Sequence, residues 1–285
     1  MAFHSVETLL AAAEDKPLWL AIQEDDCRDR GADCSDSQRR METLWRAMVN
    51  SVAQYDSERR STSGLVGGAG GQMEGMDDTL CGPFIQQVIA TALKTGECNA
   101  CMGCIVAAPT AGASGVMPAV LLPTQEKLGL TDQVMVQALY VAAGFGQVIA
   151  TRASISGAEG GCQAEIGSAS AMAAAALVHL KGGSPKQMAA ACAMAIKNLL
   201  GLVCDPVAGL VEVPCVKRNV IGAMNALSCA DMALAGISSA IPCDEVIDAM
   251  RAVGDSLPTA LRETGMGGLA ATPTGRKAAE GFLSR

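Results

Sequence analysis

Ala169-Ser170-Ala171-Met172-Ala173-Ala174-Ala175-Ala176-Leu177-Val178-His179-Leu180 is apolar on nearly every side of a helical wheel. A helix without a polar face belongs inside a protein or a membrane. This run is about half the ~20 residues that a bilayer crossing needs, and Lys181-Gly182 close it, so it reads as a buried core helix. Composition agrees. Half of the 285 residues are hydrophobic but only 3% are aromatic, so Ala, Leu, Val, Met and Ile must fill the interior from closely approaching helices. The expected fold is all-α: a single helical domain over 1–285, divided into an N-terminal helical segment (1–60) and a core (61–275), with Gly-rich loops around a functional site.

Outward from that run, apolar spacing places helices at about 163–180, 184–200, 131–150, 216–235 and 243–253, with a polar end beyond Gly265. Residues 5–23 read as one helix despite Pro17, and 27–37 as a charged connection. Ser37 is a candidate cap for a helix reaching about residue 56. Further helices are expected at 78–94 and from Ala119 onward.

A net charge of −8 argues against nucleic acid, since a polyanion partner requires clustered Lys and Arg. The first residues lack a secretory pattern, because Glu7, Glu14 and Asp15 interrupt the apolar positions. Twelve cysteines then point to a reducing cytoplasm, with no membrane partner.

Three of these cysteines sit in Gly/Pro-bounded corners. They are Gly160-Gly161-Cys162-Gln163-Ala164-Glu165, Gly201-Leu202-Val203-Cys204-Asp205-Pro206 and Val213-Pro214-Cys215-Val216-Lys217-Arg218-Asn219. Cys162 and Cys215 are expected just before helix N-termini, where free amides favour a thiolate, and Cys204 at the end of a helix. Such a trio suits an iron–sulfur cluster with one iron left open. Zinc fits less well, because His4 and His179 lie far from these corners in sequence. Cys98-Asn99-Ala100-Cys101-Met102-Gly103-Cys104 has the spacing of a ferredoxin run, but Ala108 stands at the fourth ligand position, so it reads as small residues beside a loop. Cys27, Cys34, Cys81, Cys192, Cys229 and Cys243 receive no role.

Two Gly-rich loops complete the pattern. In Ala107-Ala108-Pro109-Thr110-Ala111-Gly112-Ala113-Ser114-Gly115, hydroxyls and free amides offer carboxylate-binding donors without an arginine. Ser61-Thr62-Ser63-Gly64-Leu65-Val66-Gly67-Gly68-Ala69-Gly70-Gly71 is either a second anion-approaching loop or a flexible linker.

The segments 157–167, 204–215, 108–112, 63–65 and 267–275 resemble the alpha chain of iron–sulfur-dependent L-serine dehydratase (L-serine ammonia-lyase), over about 61–275. The resemblance implies a lyase of amino-acid catabolism that needs no pyridoxal phosphate and forms pyruvate and ammonia from L-serine. It assigns a 4Fe-4S cluster to Cys162, Cys204 and Cys215, whose open iron takes the substrate's β-hydroxyl. Ser63, Gly64, Thr110, Ala111, Gly112 and Ser114 become the candidates for gripping the substrate carboxylate. Single-chain relatives carry a further domain with a Ser-Ser-His-Thr motif and a histidine base. This sequence has no such motif, so either a separate beta chain supplies the base, in an oligomer, or the chain is an orphan homologue. Some of those relatives also end in a cysteine that covers the fourth iron. This sequence ends Gly281-Phe282-Leu283-Ser284-Arg285, leaving that iron to a partner, water or substrate. Lys197, Lys217 and Glu165 can titrate, but nothing in the sequence singles one out. Two other readings stay open: a cluster-dependent L-cysteine desulfidase, and a non-catalytic metal or cluster-binding subunit.

Overall fold

The computed structural model describes residues 3–283 and is all-helical, with no strand among the described residues. Ser284 and Arg285, the last residues of the expected tail, lie outside them. The Ala-rich run forms α9 (Ser168–Leu180) at the centre, and Ala173, Ala174, Ala175 and Ala176 are fully buried. Around it pack α6 (Val116–Leu128), α7 (Asp132–Arg152), α10 (Pro185–Asn198) and α11 (Cys215–Leu234). Methyl side chains leave little between these helix backbones, so even one added methylene would be felt. α7 is long and apolar enough to cross a membrane by composition, yet most of it is buried within the protein.

The N-terminal part departs from its expected limits. Pro17 splits the first helix into α1 (Val6–Ala11) and α2 (Leu18–Arg30), because a proline inside a helix removes a hydrogen bond and clashes with the preceding turn. The expected charged connection is mostly helix: α2 ends at Gly31 in a left-handed cap, and α3 (Cys34–Ala53) starts behind Asp33. Asp33, not Ser37, is the cap, accepting the Ser35 amide at 3.0 Å. The Ser37 hydroxyl instead meets Tyr140 (2.7 Å) and Asp26 (2.6 Å), fastening α3 to α7 and α2. Trp45 adds an indole hydrogen bond to Asp132 at the start of α7 (2.9 Å). The tight α2–α3 turn brings Cys27 and Cys34 together as a disulfide, with Cα atoms 5.4 Å apart, which corrects the reading of both as roleless.

The expected helix at 78–94 is α5 (Gly82–Ala100), shifted toward the C-terminus so that it includes Cys98. Its buried Glu97 explains the extension. That carboxylate accepts the Tyr55 hydroxyl (2.6 Å) and the Ala69 and Gly70 amides, so it caps α4 (Ala69–Glu74) from outside. Beyond the short α8 (Gly157–Gly160) and α12 (Cys243–Ser256), the expected polar end contains α13 (Pro273–Leu283). Thr272-Pro273 was the available signal. The Thr272 hydroxyl accepts the Gly275 amide, and proline suits a first helical position.

Candidate cysteine-lined active site

The three corner cysteines are all buried: Cys162 and Cys204 are 2% exposed and Cys215 6%. Cys162 precedes a π-helical turn, Gln163–Gly167, that leads into α9. Its approach requires glycine. Gly161 has φ +75°, and a Cβ there would meet Leu257 Cδ1 at 2.6 Å and the Leu202 carbonyl at 2.9 Å. Cys215 opens α11, as expected. Cys204 does not end a helix: α10 stops at Asn198, and Cys204 lies in an extended bridge to Arg262. Its amide donates to Leu261 O (2.9 Å) and its carbonyl accepts the Glu263 amide (2.8 Å). Backbone pairing across some sixty residues holds this corner, which local periodicity does not reveal.

The Cys162 and Cys204 sulfurs and a Glu165 carboxylate oxygen lie within 4.8 Å of one another. Among the described residues, this is the group of three ligand-type side chains that converges so closely. Cys215 stands just outside it, near enough that the Cys162 and Glu165 charges raise its pKa further after burial, to about 12. The Cys162 pKa is lowered, first by the hydrogen bond from the Cys204 thiol and then by the Arg218 guanidinium, which outweigh burial. The Cys204 pKa is raised for the reciprocal reason. Arg218 also donates to Val203 O (2.8 Å) and to Asp205 (2.9 Å), and Asp205 accepts the Leu269 amide (2.8 Å). One cation thus joins two cysteine corners and the C-terminal loop.

Glu165 connects the cysteines to the first Gly-rich loop. It accepts the Thr110 hydroxyl at 2.7 Å, and Cys204 Sγ lies 3.9 Å from its other oxygen. Burial raises its pKa, with the Thr110 hydrogen bond acting against that. In the same loop the Gly112 carbonyl accepts from Asn219 (2.8 Å), the Ala111 carbonyl accepts from Asn99 (3.3 Å), and the buried Ser114 hydroxyl has no hydrogen-bond partner. The second loop reaches the cysteine segment elsewhere: Ser63 and Ser61 donate to Glu212, and the Gly64 backbone is left-handed at φ +78°. Glu165, Arg218, Asp205, Glu212 and Asn219 were not assigned from sequence. Each stands in or beside a quoted cysteine motif, but has a partner outside that motif, 13 residues away for Arg218–Asp205 and more than a hundred for Asn219–Gly112.

The remaining sequence candidates lie outside the Cys162–Cys204–Glu165 group. Cys98 is in the last turns of α5 with its thiol against Cys104 O (3.7 Å), Cys101 is buried and Cys104 exposed. His179 lies in the last turn of α9, and burial lowers its pKa. A cavity of about 720 Å³ opens between α2, α3 and α7, with none of the three corner cysteines in its wall.

The residues present fit an iron–sulfur group. Two buried, soft thiols converge with one carboxylate, a third buried thiol, Cys215, stands just outside them, and a guanidinium beside Cys162 compensates negative charge. Gly157 keeps space there, since a Cβ would fall 2.9 Å from Cys204 Sγ and 2.6 Å from Glu165 Oε2.

The pattern of the family described as "Serine dehydratase alpha chain" matches residues 13–270. A Bacillus subtilis (strain 168) protein named "Probable L-serine dehydratase, alpha chain" is 59% identical over 220 residues, which cover 76% of this chain and 73% of that one. The "L-serine dehydratase, alpha chain" of Peptoniphilus asaccharolyticus is 53% identical over 72% of this chain and 70% of its own. The "L-serine dehydratase" of Mycobacterium tuberculosis (strain CDC 1551 / Oshkosh) is 48% identical over 63% of this chain, which spans 40% of that protein.

Proposed function

The chain belongs to the serine dehydratase alpha-chain family, and we propose that it eliminates water from L-serine to give pyruvate and ammonia, with Cys162, Cys204 and Cys215 holding a 4Fe-4S cluster. The observation that carries this reading is the convergence of Cys162, Cys204 and Glu165, with the Thr110 loop fastened to that carboxylate. When bound, such a cluster supplies an iron without a protein ligand, a Lewis acid for a departing hydroxyl.

This chain's own residues do the rest. The Ser114 hydroxyl and the Ala111 and Gly112 amides take the substrate carboxylate as hydrogen-bond donors, Thr110 lines the same loop with its own O–H given to Glu165, and Ser63 and Gly64 close the other side. The unpartnered, buried Ser114 hydroxyl supports its assignment, because a polar group held away from water gains from a ligand acceptor. Glu165 keeps the Thr110 loop against Cys204, and the Ala-rich helices keep bulk water from the sulfurs. A beta chain, as the alpha-chain designation of the relatives implies, supplies the base that removes the α-proton. The free thiols at this site, unlike the Cys27–Cys34 disulfide, suit a reducing cytoplasm.

The test is pyruvate release by the anaerobically purified chain mixed with its beta chain. Release from L-serine supports the reading; release from L-cysteine with none from L-serine transfers it to a desulfidase. Zinc without iron and sulfide removes the proposed chemistry.

A further inference from the structure

Cys215 lies between two buried side chains that grip different loops. Three residues before it, Glu212 is 6% exposed and accepts the hydroxyls of Ser61 (2.9 Å) and Ser63. The Ser63 hydroxyl in turn accepts the Leu65 amide (3.0 Å), so the whole 61–66 turn hangs on this carboxylate. One helical turn after Cys215, Asn219 is 1% exposed and uses both ends of its carboxamide. Its Oδ1 accepts the Gly115 amide (2.9 Å), and its Nδ2 donates to Gly112 O (2.8 Å) and to Cys215 O (2.9 Å). The two loops holding every candidate carboxylate-binding residue are therefore bolted to the segment that carries one cysteine ligand. No helix ladder joins these pieces, and the partners lie more than a hundred residues apart in sequence. A buried amide or carboxylate that loses such partners is left unsatisfied, which makes these contacts selective for one loop geometry.

We propose that Glu212 and Asn219 are positioning residues that make the Cys215 segment a common mount for both substrate loops, fixing where a bound carboxylate sits relative to the Cys215 sulfur. This deepens the serine dehydratase reading and rests on it, while the mount is a property of the chain alone. Asn219 sets the 112–115 loop and Glu212 sets the 61–66 loop. Neither touches the reacting atoms.

Amide hydrogen exchange on the full-length, metal-free chain reads the mount directly. Asn219→Ala should speed exchange at 112–116 by about tenfold and leave 61–66 unchanged; Glu212→Ala should do the reverse. Cys215→Ser should change neither loop. Uniform acceleration, or none, overturns the proposal. Should either alanine variant fail to fold, Ser61→Ala tests the same mount from the loop side, and unchanged exchange at 61–66 counts against it. In the holoenzyme with its beta chain, Asn219→Ala and Glu212→Ala should each raise KM for L-serine about tenfold. Their kcat should stay within about threefold, with iron and sulfide per chain unchanged, and Glu212→Gln, which keeps an acceptor oxygen, should recover most of the loss. Loss of kcat and iron with KM unchanged would mark a merely structural role and overturn the assignment. If wild-type protein forms no pyruvate from L-serine, the functional reading fails, while the exchange result stands or falls by itself.

Discussion

The helical core around α9 and the cysteine end of the molecule are both buried, but opposite means hold them. In the core, methyl groups at Ala173, Ala174, Ala175 and Ala176 set how closely α7, α10 and α11 approach, and the backbone between helix ends is satisfied by the regular helical ladder. At the cysteine end the backbone runs through extended segments and short turns, and long-range polar side chains tie them: Arg218 to Val203 and Asp205, Asn219 to Gly112 and Gly115, Gln163 to Gly201 and Met250. Volume specifies the first region and hydrogen-bond partners specify the second. Substitutions should therefore separate stability from function.

The largest effect expected is on chemistry without stability. Cys204→Ser should abolish pyruvate formation and cluster retention, while urea unfolding of the metal-free chain moves by no more than about 1 kcal/mol. Its counterpart in the core, Ala174→Leu, should lower unfolding free energy by about 3 kcal/mol, because four closely packed helices have no room for the added atoms. Equal stability losses in the two variants would break the distinction. Gly161→Ala sits where the regions meet, and strain at φ +75° plus contact with Leu257 should cost about 2 kcal/mol in the same unfolding measurement.

The smallest effect belongs to the Tyr55–Glu97 contact. Burial first, and then the hydrogen bond to Glu97, push the Tyr55 pKa up from 10.0 to about 12. The folded state therefore keeps its proton where the unfolded chain releases it, so this contribution is complete below pH 10.0 and fades as pH rises through about 12. Solvent screening at this half-buried phenol holds the loss to about 1 kcal/mol. In Tyr55→Phe that part of the alkaline decline should vanish, and an unchanged difference from pH 9 to 12 would contradict the assignment.

The sequence made the core plain because α9 is apolar on nearly every side between its ends, and that property is local. The cysteine corners were legible for the same reason, since Gly160-Gly161-Cys162 and Val213-Pro214-Cys215 announce turns. Helix limits failed where a tertiary contact overrode local preference: Glu97 carries α5 past Lys94, and the tight α2–α3 turn replaces an expected charged connection. Cys204 was misplaced because its partners, Leu261 and Glu263, come from a loop whose return carries no periodic signal. Glu165, one of three titratable groups in the sequence reading, is distinguished only by its distance to Thr110 and Cys204.

Anaerobic reconstitution of the chain, followed by iron and acid-labile sulfide analysis, tests the central claim most directly. The wild-type chain should hold about four of each, and Cys162→Ser, Cys204→Ser and Cys215→Ser should each hold far less. Full iron and sulfide in all three variants would contradict it.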